Sequence, residues 1–294
     1  MPVPHLGRVG LWTGALDGLS LAAVRDQVAE LDAQGWGALW FHEAVGREAY
    51  TAASLYLAAS SRMTVATGIA SIYARDAMAA AAGGRTLAAG GRFLLGLGVS
   101  HAPMVEGFRG QTYGKPLAAM RAYLEAMDSA VALVGPDEQE PAPRVLAALG
   151  PGMLALAAER ADGAHTYLVT PEHTAQARAI LGPDAVLAVE QAVVVSDDLD
   201  VWQPRADWHL GVYTGLPNYR NNWLRLGFTE DDLTDGGSDR LKQAMVVRGL
   251  DAIRARVEEH LAAGASHVCL QVLGPDLFTA PVDDWRELAA ALPA

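Results

Sequence analysis

Apolar runs of strand length alternate along the chain with longer segments of helical periodicity. The clearest example is residues 63–101, where MTVATGI and GRFLLGLG flank a long Ala-rich segment. Two buried strands joined by a crossover helix form a parallel βαβ unit. Both strands end on Gly and small polar residues, at the edge of a parallel sheet where ligands bind. We therefore expect a functional site at residues 68–71 and 96–100.

The same alternation continues over most of the chain and predicts the fold. Strands are expected at residues 8–12, 38–41, 63–69, 93–98, 145–149, 164–168, 186–195 and 266–273. Helices are expected at residues 20–35, 48–60, 116–134, 151–160, 250–263 and 281–292, and after the N-caps Asp76 and Thr170. Residues 196–248 break the pattern, and their aromatic residues and turn signals predict a largely helical insertion. Eight alternating units predict a (β/α)8 TIM barrel, with residues 1–294 as a single domain.

A doubly wound sheet is the alternative fold. Its dinucleotide-binding fingerprint is G-x-G-x-x-G after a strand. In the segment Gly96-Leu97-Gly98-Val99-Ser100-His101, the position of the third glycine is occupied by His101, and no early strand carries the motif. The barrel is therefore the better prediction.

Composition narrows the range of functions. The net charge of −12 argues against nonspecific binding to nucleic acid or to an anionic membrane. No apolar run approaches the ~20 residues of a membrane span, and the N-terminus lacks the pattern of a signal peptide. The single cysteine, Cys269, excludes an internal disulfide and suits a reducing compartment. We expect a cytoplasmic homodimer whose partner is a small-molecule substrate.

Five motifs are spread over essentially the whole chain. They are Leu39-Trp40-Phe41-x-Glu43, Ala66-Thr67-Gly68-Ile69, Gly91-Arg92-Phe93-Leu94-Leu95-Gly96-Leu97-Gly98, Ala158-Glu159-Arg160-Ala161-Asp162-Gly163 and Leu216-Pro217-Asn218-Tyr219-Arg220-Asn221-Asn222. GR-x-LLGLG and ERADG at this separation form a fairly specific pair. Together the motifs resemble those of the luciferase-like flavin and deazaflavin oxidoreductases of the bacterial luciferase superfamily. Within that superfamily, the chain is most similar to the actinobacterial branch that depends on coenzyme F-420.

The resemblance implies a barrel that holds the ring of F-420, an 8-hydroxy-5-deazaflavin, at its C-terminal mouth. Such an enzyme transfers a hydride between the coenzyme and a small organic substrate. An FMN-dependent monooxygenase on the same fold is the alternative. A barrel that binds a cofactor or another ligand without catalysis is an alternative of a different class.

The resemblance also implies where the cofactor contacts lie. A bulge after strand three, often with a non-prolyl cis peptide, supports the ring face, and we place it at Ile69-Ala70-Ser71; an ordinary strand exit is the alternative. The exit of strand four offers ring or ribityl contacts, or is a tight turn. The start of strand six and the helix after it offer backbone N–H groups for phosphate, although simple capping by Thr170 also explains that threonine. The predicted cofactor-binding residues are Gly68, Ile69, Ala70, Ser71, Tyr73, Gly98, Val99, Ser100, His101, Ala164, His165, Thr166 and Thr170.

His42 and Glu43 are the candidates for acid–base catalysis, because they lie where strand two opens into the barrel mouth. A histidine there can donate or accept a proton near neutral pH. The family commonly has an acidic residue followed by His, whereas here Ala44 follows Glu43. Alternation along a strand puts the two side chains on opposite faces, so we do not expect them to act as a pair. A histidine bonded to backbone and a glutamate that caps the loop or bonds the coenzyme ring are the alternatives.

A polyanionic coenzyme needs a local positive patch on a chain of net charge −12. Arg75, Arg109 and Lys115 follow strands three and four and, with His101, could face the anionic tail; ordinary surface charges are the alternative. The His and Cys spacing matches no metal motif, and no H-E-x-x-H, G-x-S-x-G or P-loop occurs. We expect no metal site.

Overall fold

Ten parallel-paired strands form the centre of the protein in the computed structural model, which describes residues 1–276 and 279–292. They are β1 (Val9–Trp12), β2 (Ala38–Phe41), β3 (Thr64–Thr67), β4 (Ala70–Ser71), β5 (Phe93–Gly98), β6 (Arg144–Ala147), β7 (Gly163–Thr166), β8 (Val186–Val194), β9 (Val246–Arg248) and β10 (His267–Val272). β1, β2, β3, β5, β6, β7, β8 and β10 pair in that order, and β10 pairs back with β1, so the barrel is closed. β4 and β9 extend the sheet by pairing with β5 and β8.

Helices connect the strands and cover the outside of the barrel. They are α1 (Leu21–Gln34), α2 (Ala49–Ala59), α3 (Ala77–Ala88), α4 (Pro116–Asp128), α5 (Pro151–Arg160), α6 (Pro171–Leu181), α7 (Leu199–Tyr213), α8 (Pro217–Arg225), α9 (Asp239–Met245), α10 (Leu250–Ala262) and α11 (Val282–Ala291). The Ser20 hydroxyl accepts the N–H of Ala23 at 3.3 Å, and an Asp76 oxygen accepts the N–H of Ala79 at 2.9 Å, so both predicted N-caps are confirmed. Within the described ranges, no helix has both the length and the apolar character to cross a membrane.

The predicted (β/α)8 barrel is confirmed, and so is the largely helical insertion, which holds α7, α8 and α9. Several predicted boundaries are wrong. The helix expected at 116–134 ends at Asp128, where the Ser129 hydroxyl donates to the Glu125 carbonyl and the following Val131 and Leu133 point into solvent. The strands expected at 145–149 and 164–168 each lie one or two residues earlier, at β6 and β7. β9 was not predicted, because three residues are too few to show a strand pattern.

Side chains fill the barrel interior, so the barrel is a packed core rather than a pore. The Trp40 ring stacks on His165, with centroids 4.7 Å apart, and its indole N–H donates to Nε2 of His267 at 3.0 Å. His267 Nδ1 then donates to the carbonyl of Gly7 at 2.9 Å. Burial lowers the pKa of both histidines to about 4, so both are neutral packing groups.

The insertion forms a second apolar cluster at the carboxyl ends of β7 and β8. Its centre contains Trp202 and Trp223, which are fully buried. Trp202 donates to the carbonyl of Val246 at 3.0 Å, and Trp223 donates to the carbonyl of Leu168 at 3.2 Å. These bonds fix α7 and α8 to one side of the barrel mouth.

Candidate active site

The segment between β3 and β4 lies at the C-terminal mouth of the barrel. Its Gly68–Ile69 peptide bond is cis. The N–H of Gly68 donates to the carbonyl of Phe41 at 2.6 Å, and the carbonyl of Gly68 accepts from the indole N–H of Trp12 at 3.0 Å. The bulge is therefore held by hydrogen bonds from the ends of both β1 and β2.

The predicted position of the bulge is wrong by one peptide bond. Ala70 and Ser71 are not part of it, because they form β4 and pair with Leu97 and Gly98. Both are fully buried. Of the predicted cofactor-binding residues, Gly68 and Ile69 lie in the bulge.

The glycines at the end of β5 make room for the neighbouring segment. A Cβ on Gly96 would collide with the carbonyl oxygen of Thr67, and a Cβ on Gly98 would lie 2.5 Å from Cδ1 of Ile69. The space beside Gly98 is therefore occupied by Ile69. This close packing accounts for both glycines, whereas the tight-turn alternative does not describe it.

The loop after β5 bends sharply at Ser100, a non-glycine residue with φ of +55°. Its carbonyl accepts from the Tyr113 hydroxyl at 3.1 Å. Tyr73 holds the same loop, since its hydroxyl accepts the N–H of Gly114 at 3.0 Å and its ring lies 5.8 Å from that of Tyr113. Tyr73 thus supports the loop, and Val99 packs against the barrel's outer core.

His101 lies at the mouth and faces the insertion. Its ring centroid is 5.9 Å from that of Tyr219, and its side chain bonds to Asn218. Burial lowers the pKa of His101, and the bond to Asn218 opposes that shift. His101 is therefore neutral near pH 7 and does not provide the positive charge considered for it.

Both carboxylate oxygens of Glu43 are occupied by the surrounding loops. One accepts the N–H of Ser71 at 2.9 Å, and the other accepts the N–H of Ala49 at 3.1 Å and pairs with Arg75. The side chain is 3% exposed. These contacts are those of a residue that caps the loop, as one sequence alternative supposed, and the catalytic role of Glu43 stays a prediction.

His42 lies against the end of β1, on the other side of its strand from Glu43. Its ring centroid is 5.4 Å from that of Trp12, and its Nε2 is 3.8 Å from Oδ2 of Asp17. A Cβ on Gly14 would lie 2.2 Å from Cε1 of the imidazole, so a larger residue there would displace the His42 ring. Burial lowers the pKa of His42, and the Asp17 carboxylate opposes that shift. With 33% of its side chain exposed, His42 can accept a proton at the mouth.

The phosphate contacts predicted after ERADG are not supported. Ala164, His165 and Thr166 lie in β7 and pair with β6 and β8, so their backbone groups belong to the sheet. Thr170 caps α6, where its hydroxyl accepts the N–H of His173 at 3.5 Å. The capping alternative therefore holds for Thr170, and all four residues are buried.

The start of α5 is a feature of the mouth that was not predicted. Gly150 and Pro151 open this helix, and in the described part of the chain no side chain caps it. A terminal nitrogen of Arg225 is 3.5 Å from the position of a Cβ on Gly150, and it donates to Asn222 at 3.0 Å. That bond is to the amide oxygen of Asn222, and the amide nitrogen of Asn222 is buried without a partner among the described residues. A helix start beside a guanidinium attracts anions. The available sequence signal was Gly-Pro-Gly directly after the strand predicted at 145–149.

The three cations predicted to face an anionic tail have different surroundings. Arg75 pairs with Glu43 and Glu48 and lies 4.3 Å over the ring of Tyr50, so its charge is neutralised inside the protein. Arg109 donates to the carbonyl of Ala44 at 3.3 Å. Lys115 is exposed, directly before α4. Their contact with a cofactor stays a prediction.

Aromatic rings from the insertion and from the ends of β1 and β7 line one side of the mouth. We call Tyr167, Tyr213, Tyr219 and Gln271 the tyrosine wall. The Tyr167 hydroxyl donates to Oε1 of Gln271 at 2.5 Å and lies 2.9 Å from the Tyr213 hydroxyl. The Tyr213 and Tyr219 rings are 4.7 Å apart, and Trp12 continues the wall at 5.4 Å from Tyr167. The mouth thus holds both a backbone bulge and a set of edge-to-face rings, and Trp12 contacts both.

Metal ligands do not converge at the mouth or elsewhere in the described residues. No group of three or more His, Cys, Asp or Glu side chains in residues 1–276 and 279–292 could hold a metal ion. Cys269 is buried in β10.

Two sequence comparisons relate the chain to known proteins. Residues 5–264 match the family profile described as luciferase-like monooxygenase. Over 167 residues, the chain is 33% identical to a Mycobacterium tuberculosis protein that bears the provisional name of a coenzyme F-420-dependent oxidoreductase. That match covers 46% of this chain and 48% of the relative, so the chain aligns with about half the length of that protein.

Solved structures share the fold at low sequence identity. A secondary alcohol dehydrogenase dependent on F-420, in complex with an F-420–acetone adduct, superposes with a TM-score of 0.74 at 15% identity, covering 97% of this chain and 98% of that one. The oxygenating constituent of 3,6-diketocamphane monooxygenase from Pseudomonas putida, in complex with FMN, superposes with a TM-score of 0.69 at 13% identity, covering 97% and 96%. At these identities the likeness concerns the fold.

Proposed function

Because the chain belongs to the luciferase-like monooxygenase family, we propose that it is an oxidoreductase that transfers a hydride between coenzyme F-420 and a small organic substrate. The observation that carries the proposal is the 33% identity to a relative named for that coenzyme. The fold shared with the F-420-dependent alcohol dehydrogenase supports it. A fold alone does not determine a reaction, so the residues at the mouth must fit the cofactor as well.

The mouth offers suitable surroundings for a flat tricyclic ring. The Gly68–Ile69 bulge would support one face of the ring, since its carbonyl is fixed by Trp12 and its N–H by Phe41. Trp12 connects this bulge to the tyrosine wall, which would border the space next to the ring. Ser100 and His101 would border the ring at the exit of β5.

The anionic tail would lie at the start of α5. This helix end presents backbone N–H groups and a partial positive charge, and Arg225 adds a full charge beside Gly150. The buried, unpartnered amide nitrogen of Asn222 supplies a further donor. The site therefore provides the local positive patch that a chain of net charge −12 needs.

F-420 supplies a two-electron hydride carrier when it is bound, and the protein supplies orientation and proton transfer. His42 would accept the hydroxyl proton of an alcohol substrate as its carbon loses a hydride, and it would return the proton to a carbonyl in the reverse direction. Asp17, 3.8 Å from Nε2 of His42, would stabilise the protonated ring. Trp12 and the insertion would exclude water from the mouth.

An FMN-dependent monooxygenase is the second candidate, favoured by the family's own description and by the fold shared with an FMN complex. The two functions differ in their reaction with oxygen. Reduced deazaflavin transfers hydride and does not activate dioxygen, whereas a reduced flavin in this fold can.

Titration of the purified protein with F-420 and with FMN, followed by visible absorption and fluorescence, tests the proposal. We expect saturable binding of F-420, weaker binding of FMN, and steady turnover of F-420 with a panel of alcohols and ketones. Reduced holo-protein should consume no oxygen. Preferential FMN binding with rapid oxygen consumption and a hydroxylated product would favour the monooxygenase. Tight cofactor binding without turnover across the panel would favour a non-catalytic barrel.

A further inference from the structure

The tyrosine wall joins the insertion to the barrel at the mouth. Tyr167 follows β7, Gln271 lies in β10, and Tyr213 and Tyr219 come from the insertion. Tyr167, Tyr213 and Gln271 are partly exposed, whereas Tyr219 is 7% exposed. The partly exposed members can therefore contact a bound molecule, while Tyr219 packs behind them.

The hydrogen bonds within the wall determine which of its polar groups are free to bind a ligand. The Tyr167 hydroxyl gives its proton to Oε1 of Gln271, so the Tyr213 hydroxyl must donate to the oxygen of Tyr167. The Tyr213 oxygen then keeps its lone pairs as acceptors, and the amide nitrogen of Gln271 keeps its donors. The wall thus provides one acceptor, the Tyr213 oxygen, and one donor group, the Gln271 amide. Together they can bind a hydroxyl group, and the donor alone can bind a carbonyl oxygen.

The titratable groups around the wall are neutral near pH 7. Burial lowers the pKa of His209, whose ring lies 5.2 Å from that of Tyr213, to about 3. Burial also lowers the pKa of His101, beside Tyr219, and of His42, beside Trp12. Beneath the wall, burial raises the pKa of Glu190 to about 8. A charged ligand group at the wall would therefore lose water without gaining an opposite charge.

We propose that the tyrosine wall binds the substrate of the proposed reaction and selects an uncharged, largely apolar molecule with one hydroxyl or carbonyl oxygen. The apolar part lies against the ring of Tyr167. The oxygen bonds to Tyr213 and Gln271. That this molecule is the substrate rests on the proposed function. The chemical class of the molecule rests on the contacts of the wall.

Binding of four probes of similar shape tests the wall directly: benzyl alcohol, toluene, benzoate and benzylammonium. Each is titrated by calorimetry into the protein with and without F-420. We expect benzyl alcohol to bind at least about ten-fold more tightly than either ion, because the ions have no opposite charge at the wall. Tyr213→Phe should weaken benzyl alcohol binding about five-fold and leave toluene binding unchanged, since it removes a hydroxyl and keeps the ring.

Tyr123→Phe is the matched control, since its hydroxyl bonds to the Arg75 carbonyl at 3.0 Å away from the wall. It should change neither affinity. Equal binding of an ion and benzyl alcohol, or equal losses for toluene and benzyl alcohol in Tyr213→Phe, would overturn the inference. If F-420 binds and turns over while the probes show no such pattern, the wall proposal fails alone. If the probes follow the pattern and F-420 does not bind, the proposed function fails and the wall remains a ligand site.

Discussion

The indole nitrogen of Trp12 lies 3.0 Å from the carbonyl oxygen of Gly68, and this hydrogen bond joins the end of β1 to the bulge after β3. The contact is buried, with Trp12 only 5% exposed. A Cβ on Gly68 would come within 2.8 Å of the same nitrogen. Glycine at position 68 and tryptophan at position 12 therefore depend on each other, and together they fix the bulge proposed to support the cofactor.

Trp12→Phe should lower the free energy of unfolding by about 1–3 kcal/mol, because the buried Gly68 carbonyl loses its donor. The affinity for F-420 should fall as the bulge loses its support. Urea denaturation and coenzyme titration measure the two effects. Trp208→Phe is the control, since Trp208 is 51% exposed, and its stability should match that of the wild type. Unchanged stability and affinity in Trp12→Phe would show that the hydrogen bond does not hold the bulge.

Gly98→Ala should destabilise the protein by about 1–3 kcal/mol, because the new methyl group would overpack Ile69. Ile69 can relieve the clash only by moving with the bulge, so F-420 affinity should fall in parallel. Gly107→Ala is the matched control, because a Cβ there meets nothing within 4 Å. Thermal unfolding and coenzyme titration compare the two variants. Equal behaviour of the two alanines would contradict the packing argument.

The fold followed from the sequence because the strand pattern is local. A buried strand such as β5 is readable from FLLGLG, and the caps at Ser20 and Asp76 involve residues three positions apart. The roles of single residues in the site were less accessible. Gly98 is explained by Ile69, and Arg75 is neutralised by Glu43, both through contacts about thirty residues apart in sequence that only the closed barrel creates.

Arg225→Gln should reduce the affinity for F-420 about ten-fold at low salt, because it removes the full positive charge beside the start of α5. The loss should shrink as salt screens the interaction. A deazaflavin riboside without phosphate should bind both proteins equally. The control is Arg254→Gln, which makes the same charge change on α10, where the Arg254 side chain is 51% exposed. A loss that is the same for the riboside would place the tail elsewhere.

Asp17→Asn should lower the pKa of His42 further, because the Asp17 carboxylate is the group that opposes the effect of burial. Neutral His42 is the proposed base in alcohol oxidation, so activity falls as the pH drops through its pKa. The acid limb of kcat/KM should therefore move to lower pH in the variant. NMR titration of the His42 ring measures the same shift without turnover. The control is Asp26→Asn, an equal charge change on the exposed face of α1, which should leave the acid limb in place. A shift of the limb to higher pH in Asp17→Asn would refute the pairing of Asp17 with His42.

Glu190 is a fully buried carboxyl inside the barrel, beneath the tyrosine wall. One oxygen accepts the N–H of Leu168 at 2.9 Å, and the other has no partner among the described residues. Burial raises its pKa from 4.5 to about 8. The folded protein therefore keeps the Glu190 proton at pH values where the unfolded chain has lost it.

Glu190→Gln should make stability less dependent on pH. A carboxyl whose pKa is raised on folding contributes no penalty below the unfolded value, and it destabilises the fold progressively as the pH rises from 4.5 to about 8. Glutamine keeps the acceptor for Leu168 and cannot ionise. The variant should match the wild type near the acidic end of this range and exceed it by on the order of 3 kcal/mol near pH 7. Urea denaturation across the range measures the difference, with exposed Glu287→Gln as the control. A constant difference between variant and wild type at all pH values would mean that folding does not raise the pKa of Glu190.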